Sequence, residues 1–528
     1  MLTEQVPLPS LLLDRVRRDG DKVFLQDADG VSETFSEYLT SLGWWVSLLQ
    51  DLDIKPGESV GVMQPVGMTA HHLWGACAWT RAWEVPVNTA FKGAMLKHIL
   101  EDADVSRLVI HHDFLDQFRP VAGELKGLHT VIVTGCADVD RIELPQQRVI
   151  AAENYRPETV FNPEDLPEID PGDVATILYT SGTTGPSKGC LVPWGEFYWG
   201  LDLFHPRKDG RDCHYCPFPT NHMSGKVPVY NMIAFGGRVV LRSRFSVSHF
   251  WPDIKRFGCT TTLLLGGTAT FIHKQPETAG DVDNPLETAF MGPVIPEFRE
   301  FEKRFGLRVV ASYGMTEIGW PFMSDDQPLP NSETCGKLRD EWQVRIVDQD
   351  GKDTGPGVVG EILVRCERPN SMMKEYLGRP EATAEAWKGG WFHTGDAGRY
   401  DEDGNYYFVD RIKDAIRRRG ENISSYEVEN YIREHDDVMD CAAIAVPSET
   451  GEDEVKVVVI LKEGRALLPE ELILYLIPRM PDFMIPRYLE FCDSLPLTAT
   501  NKVRKVDLRK EGVNEKTWDR VAAGISVK

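Results

Sequence analysis

The stretch ILYTSGTTGPSKG (177–189) decides how this chain is read. An apolar, β-rich run leads into small hydroxyl-bearing residues with three glycines and one lysine. Glycines let the main chain approach an anion closely and turn N–H groups toward it. Thr180, Ser181, Thr183, Thr184 and Ser187 add hydroxyls, Gly182 and Gly185 bare backbone, and Lys188 a mobile positive charge. That is the chemistry of a triphosphate cradle. The segment contains no GxxxxGK[ST], so it is not a Walker loop. Composition alone also admits a flexible Ser/Thr/Gly linker, against which the apolar strand and Lys188 both argue.

Outward from this loop, apolar β-rich runs alternate with helical patterns. SVGVMQP (59–65), VPVNTA (85–90), RLVIHH (107–112) and TVIVTG (130–135) read as strands, with a helix from Gly67 to Trp83. The alternation resumes with RVVLRS (238–243), CTTTLLLG (259–266) and LRVVASYG (307–314), interleaved with helices at Phe250–Phe257 and at 296–306, the second stopping at Gly306. Strands alternating with helices imply parallel βαβ units. From about residue 335 the pattern turns to hairpins: WQVRIVD, GEILVRC and NYYFVDR are separated by DQDG, TGPG and DEDG. This predicts a small antiparallel sheet or barrel over 335–410. After Arg411 comes an α+β tail: a capping box SSYE (424–427), strands at 441–446, 455–461 and 488–493, and a helix at 469–480. The expected fold is α/β, with a large domain over 1–410 and a small α+β domain over 411–528.

The formal net charge is −23, which opposes binding to nucleic acid or anionic membrane surfaces. It makes each Lys or Arg beside a Gly-rich loop more telling. Ten cysteines without framework spacing read as reduced thiols, and no run approaches the roughly 18 apolar residues of a membrane span. The N-terminal stretch lacks a basic start and a long apolar core, so a cytoplasmic location is expected. Two local matches are decoys. GPGVVG (355–360) precedes a strand rather than a helix and reads as a turn. CHYC (213–216) lacks a second pair and reads as structural cysteines, although His222 is near in sequence.

Three further stretches follow the loop in order: SYGMTE (312–317), WFHTGDAGRYDEDGNYYFVDRIKDAIRRRGENISSYEVE (391–429) and PLTATNKVRK (496–505). Together the four resemble the signature of the adenylate-forming superfamily of acyl-CoA synthetases, luciferases and peptide-synthetase adenylation domains, over about residues 20 to 510. The resemblance implies the following roles. Residues Thr180 to Lys188 hold the β- and γ-phosphates of ATP. Tyr313 stacks on adenine beside Gly314, a flat face against a purine. Thr316 bonds the α-phosphate, and Glu317 holds Mg²⁺ with Thr184 as oxygen ligands. Asp396 binds the ribose hydroxyls, and Arg411 reaches the ribose or phosphates. Lys502 bridges the substrate carboxylate and the α-phosphate, where transition-state charge gathers. Lys413 is the pivot of a mobile C-terminal domain that brings either Lys502, or Gly420, Glu421 and Asn422 with the pantetheine channel, to the reaction. Relatives often carry two glycines before Glu-Asn; here Arg419 precedes Gly420, to meet a coenzyme A phosphate or to face solvent.

The resemblance implies activation of a carboxylic acid as acyl-AMP, then transfer to coenzyme A, with no protein nucleophile. FPTNHMSG (218–225) and MGPVI (291–295) occupy the places that border the acid, so His222, Met223 and Gly292 are expected there, with Trp320 just past the adenine motif. Trp194, Tyr198 and Trp199 follow the phosphate loop and are expected mostly in the core. Among branches the chain is similar to crotonobetaine/carnitine-CoA ligases, through FSVSHFWPDIKRFG, FREFEKRFGLRVVASYGMTE and RRRGENIS. A betaine would need an aromatic or acidic cage, to which Trp320 is a candidate contributor. Loading of a separate carrier protein and a catalytically silent nucleotide-binding relative stay open as rivals. A homodimer is compatible with the family.

Overall fold

The computed structural model describes residues 7–138, 142–144, 146–180, 187–201, 209–324, 327–412, 416–418, 421–423, 425–447, 453–480, 482–497 and 503–527, with main chain alone at 417, 421, 422 and 427. Its contacts divide the chain into two compact units. One holds Met1–Gln343 with Val364–Phe392, the other Val344–Leu363 with His393–Lys528.

The first unit is built on two parallel sheets, as the alternation of strands and helices predicts. In one, Trp83–Pro86, Ser59–Met63, Val105–His111, Thr130–Thr134 and Arg148–Ala151 lie side by side, all parallel. In the other, Arg308–Met315, Thr288–Gly292, Thr261–Leu265, Cys213–Cys216, Arg238–Leu241 and Val23–Asp27 run parallel. Antiparallel Gly319–Met323 and Thr334–Leu338 extend it past Arg308–Met315. Central strands such as Thr130–Thr134 and Val105–His111 are rich in Val, Ile and Leu, as strands buried on both faces are.

The covering helices follow from spacing. Phe298–Phe305 reads FREFEKRF, and Phe298, Phe301 and Phe305 are buried on one face. Burial of each such ring contributes roughly 1.5–3 kcal/mol. The helix stops at Gly306, whose φ of +67° is the left-handed cap expected there. A hairpin of Val174–Thr180 and Lys188–Pro193 stands apart from both sheets. Its Val174, Ile177 and Leu191 enter the core of the five-stranded sheet, so the phosphate loop grows from a packed base.

One buried ion pair ties three elements of this unit. Lys226 Nζ lies 2.5 Å from Glu84 Oε2, and both side chains are fully buried. Thr176 donates its hydroxyl to the same oxygen at 2.7 Å, and the ammonium sits 4.4 Å from the Trp74 ring. Burial pushes the Glu84 carboxyl up and the Lys226 ammonium down, each opposed by its partner's charge. The pair links Trp83–Pro86, the phosphate hairpin and the helix Met223–Phe235.

The strands of the 342–411 hairpins lie in the order Trp342–Val347, Gly360–Cys366, Trp391–Tyr400, Asn405–Arg411, the last two antiparallel, and Val344–Leu363 and His393–Arg411 of them belong to the second unit. The decoy GPGVVG is a turn, with Gly357 at φ +78° ahead of the strand beginning at Gly360. The tail is α+β: strands Val438–Pro447, Asp453–Leu461, Tyr488–Phe491 and Trp518–Asp519, packed by helices Ser425–Arg433 and Pro469–Leu476. Ser424 and the Glu427 side chain lie outside the described residues, and with them the expected capping box.

A Lys226→Met variant leaves Glu84 buried without its partner and should lose about 3–5 kcal/mol of stability. The double variant Lys226→Met, Glu84→Leu should regain most of that loss. Chemical unfolding of the three proteins checks both.

Candidate active site

The phosphate hairpin sets its two flanking residues face to face: Thr180 and Lys188 are cross-strand partners. The loop between them, with Ser181, Gly182, Thr183, Thr184 and Gly185, lies outside the described residues. Its base is braced from the helix Gly93–Asp102. His98 Nε2–H donates to the Ser187 carbonyl at 2.9 Å. Tyr179 donates its hydroxyl to Asp102 at 2.9 Å, and Arg379 pairs with the other Asp102 oxygen at 2.6 Å. On the opposite edge, Lys374 N–H and Leu377 N–H donate to Leu191 and Gly189 carbonyls at 2.9 and 2.8 Å. That neighbouring segment delivers Tyr376, whose ring lies 4.8 Å from Lys188 Nζ.

Glu317 meets this base from the large sheet. It follows the strand Arg308–Met315, which also carries Tyr313 and Gly314. Its Oε1 accepts the Tyr376 hydroxyl at 3.1 Å and the Thr180 hydroxyl at 3.4 Å, and the residue is 7% exposed. No described cation pairs with it. A buried carboxylate held by hydroxyls and flanked by Thr180 is an all-oxygen donor set, which fits a hard divalent cation. Tyr376 was not a candidate from sequence. Its signal lies in pairing rather than motif, through the isolated bridge Cys190↔Tyr376.

The remaining candidates of this unit gather at the carboxyl ends of the parallel strands, where open α/β sheets bind ligands. Tyr313 to Glu317 end one strand, Gly292 ends the next, and His222 with Met223 follows Cys213–Cys216 and opens the helix Met223–Phe235. Met223 is buried, while His222 and Gly292 are half-buried. Gly314 admits no side chain: a Cβ there would stand 2.3 Å from the Gly319 carbonyl oxygen and 2.7 Å from Trp320 Cδ1. Trp320 packs against Gly314 and Gly200, and Arg339 donates to the carbonyls of both Trp320 and Trp199. Trp194 and Tyr198 are core residues, Trp194 stacking on Trp74 with centroids 5.5 Å apart. The CHYC cysteines are buried on the strand Cys213–Cys216, where positions three apart face opposite ways. Cys213 Sγ lies 3.6 Å from Cys259 Sγ, and Cys216 donates to the Ser224 carbonyl, which is structural packing.

In the second unit, Asp396 and Arg411 are cross-strand partners, with Arg411 Nε 2.7 Å from Asp396 Oδ1. Asp396 is 1% exposed, whereas the Arg411 side chain keeps solvent contact. The strand Glu421–Ile423 pairs with Ile416–Arg418, which places the main chain of Glu421 and Asn422. Lys413, Arg419, Gly420 and Lys502 lie outside the described residues.

Comparison with known proteins identifies the class. The sequence profile of the AMP-binding enzyme family matches residues 12–377, and that of the AMP-binding enzyme C-terminal domain matches 427–502. The chain belongs to the AMP-binding enzyme family. It is 28% identical to a crotonobetaine/carnitine–CoA ligase of Salmonella paratyphi A, over 93% of this chain and 96% of that protein. Among solved structures it is similar to the anthranilate CoA ligase AuaEII in complex with anthranoyl-AMP, with TM-score 0.84, 22% identity and 98% of each chain covered. It is also similar to ATP-bound MatB from Rhodopseudomonas palustris, with TM-score 0.82, 23% identity, and 96% and 98% of the two chains covered. The adenylate-forming α/β fold read from sequence is thereby borne out. Among the described residues no helix is long and apolar enough to cross a membrane.

Gly314→Ala tests the tight turn after Tyr313. The added methyl must displace the 314–320 turn, so ATP affinity measured by calorimetry should fall about tenfold or more while the protein stays folded.

Proposed function

We propose that this enzyme is an AMP-forming acid–thiol ligase: carboxylic acid and ATP give acyl-AMP and pyrophosphate, and coenzyme A then takes the acyl group, releasing AMP. The observation that carries this reading is the meeting of Thr180, Lys188, Tyr376 and Glu317 at the base of the phosphate loop.

Residues Thr180 to Lys188 bind the β- and γ-phosphates, with Lys188 adding charge. Glu317 and Thr184 hold Mg²⁺, which offsets phosphate charge when bound. Tyr313 takes the adenine face, with Gly314 keeping the strand close, and Thr316 bonds the α-phosphate. The substrate carboxylate attacks the α-phosphorus in line and pyrophosphate leaves, so positioning and electrostatics do the work. Lys502 contacts both reacting groups and stabilises the charge of the transition state. Asp396 and Arg411 hold the ribose. The 411–528 domain then turns about Lys413, and Gly420, Glu421 and Asn422 line the path of the pantetheine thiol. The thiolate adds to the acyl carbonyl and AMP is expelled. All substrates are water-soluble, which suits a cytoplasmic enzyme.

The acid pocket is bordered by His222, Met223, Gly292 and Trp320. The 28% identity to crotonobetaine/carnitine–CoA ligases supports a small acid with a quaternary ammonium, and Trp320 offers it an aromatic face. Short- and medium-chain acids are the next class. Loading of a carrier protein in place of free coenzyme A is the competing use of the same adenylate.

Pyrophosphate release is the test, run with ATP, Mg²⁺ and a panel of crotonobetaine, carnitine, short- and medium-chain fatty acids and aryl acids, with and without coenzyme A. Release should depend on one acid, rise with coenzyme A and fall at least about 100-fold in Lys502→Ala. No release with any acid, despite ATP binding, would overturn the ligase reading for this panel. A carrier-loading enzyme would give release that free coenzyme A does not accelerate. If the acid is a betaine, Trp320→Ala should raise its KM about fivefold or more, the loss of one cation–π contact; an unchanged KM removes Trp320 from the cage.

A further inference from the structure

Lys502 lies in the stretch 498–502, outside the described residues, and the residues on either side of it are described. Leu497 and Val503 form an antiparallel bridge, and Arg504 N–H donates to the Pro496 carbonyl at 2.7 Å. The chain then enters the helix Lys505–Glu511 at once. Leu508 seats this helix in an apolar cluster with Ala442, Ile444, Val446, Val458 and Leu495. An apolar seat of that kind is non-directional, and the described polar anchor at the far end is the Lys456 ammonium on the Gly512 carbonyl.

Lys505 adds a directional anchor at the N-terminal end, next to Arg504. Its ammonium pairs with Glu429 Oε1 at 2.7 Å and donates to Ser425 Oγ. Both partners belong to the helix Ser425–Arg433. Glu429 is 5% exposed and is itself held on three sides: Oε1 also accepts Ala443 N–H at 2.9 Å, and Oε2 faces the Arg433 guanidinium at 3.3 Å. Ser425, fully buried, gives both its hydroxyl and its N–H to Asp410 Oδ2, each at 2.6 Å. Asp410 Oδ1 takes the Arg411 N–H at 2.7 Å. A continuous chain of charge-assisted hydrogen bonds therefore runs from the ribose-site pair Asp396–Arg411 to the chain directly after Lys502. Such bonds fix direction as well as distance, and a transition-state contact tolerates only about 0.5 Å of misplacement.

We infer that Lys505 and Glu429 are positioning residues of the adenylation step: their ion pair fixes the chain at Val503–Lys505, directly after Lys502, and so positions Lys502. The inference rests on the proposed role of Lys502 and adds two residues that touch no substrate. It also separates the half-reactions. Lys502 serves acid activation, so loosening the chain beside it should slow that step and spare acyl transfer from a preformed adenylate.

The test uses Lys505→Met, Lys505→Arg, Glu429→Gln and Lys502→Ala in the full chain. Hydrogen exchange over residues 495–504 needs no substrate. In Lys505→Met it should quicken about tenfold or more, with strands Val438–Pro447 and Asp453–Leu461 unchanged, and Lys505→Arg should restore protection. With the acid selected by the pyrophosphate panel, Lys505→Met and Glu429→Gln should cut the rate of acyl-AMP formation about 10- to 100-fold at near-constant KM for ATP. Coenzyme A acylation from synthetic acyl-AMP should stay within about threefold of the parent. Unchanged exchange over 495–504, or an equal fall of both half-reactions in Glu429→Gln and Lys505→Met, overturns the inference. Full adenylation by Lys502→Ala overturns instead the role of Lys502 on which it rests.

Discussion

A chain of net charge −23 repels a polyphosphate at long range, so it can hold one only through fixed donors at close range. The proposed phosphate site, in the hairpin Val174–Pro193, meets that constraint through a braced base. Thr180 and Lys188 face each other across two strands, and the strands are buried on the five-stranded sheet. Helix Gly93–Asp102 grips one edge through His98 and Asp102, and the segment ending at Leu377 grips the other. Preorganisation of this kind removes the entropy of gathering donors at the moment of binding. The same bracing brings in Tyr376 and, through it, Glu317, so the proposed phosphate site and the carboxylate beside it share one foundation.

Much of this was legible in the sequence because each signal was local. Strand and helix alternation announced the parallel sheets, Gly306 marked a helix end, and the motif residues Thr180, Tyr313 and Glu317 fell at strand ends. What stayed hidden depends on contacts between distant segments. Tyr376 reaches Glu317 across 59 positions of chain, and no pattern around 376 hints at it. The buried Lys226–Glu84 pair joins residues 142 positions apart, and a lone lysine in an apolar helix reads as an oddity until its partner is seen. The hairpin form of the phosphate loop was also missed, since the strand after Lys188 is as apolar as the one before. In the other unit, the turn DEDG gave away the antiparallel pair Trp391–Tyr400 and Asn405–Arg411, but not that Asp396 and Arg411 stand directly opposite each other.

The polar groups of the two units are used differently. In the first, Lys226, Glu84 and Thr176 are sealed from water and serve architecture: they lock the helix that opens at His222 and Met223 against the phosphate hairpin. In the second, Asp396, Asp410, Ser425 and Glu429 are buried as well, and the run reaches water only at the Arg411 and Lys505 side chains. Sealed pairs give a single arrangement at a large cost if broken.

Trp320 has a consequence for how such a pocket can change. Its indole covers the main chain at Gly314 and Gly200, and Gly314 has no room for even a methyl group. A smaller residue at 320 would therefore uncover peptide groups rather than more hydrocarbon. The new space would be a polar slot, ready to bond an amide or a hydroxyl. If Trp320 borders the acid as proposed, selection toward bulkier acids there trades aromatic surface for hydrogen-bonding surface, and shifts chemical preference along with size.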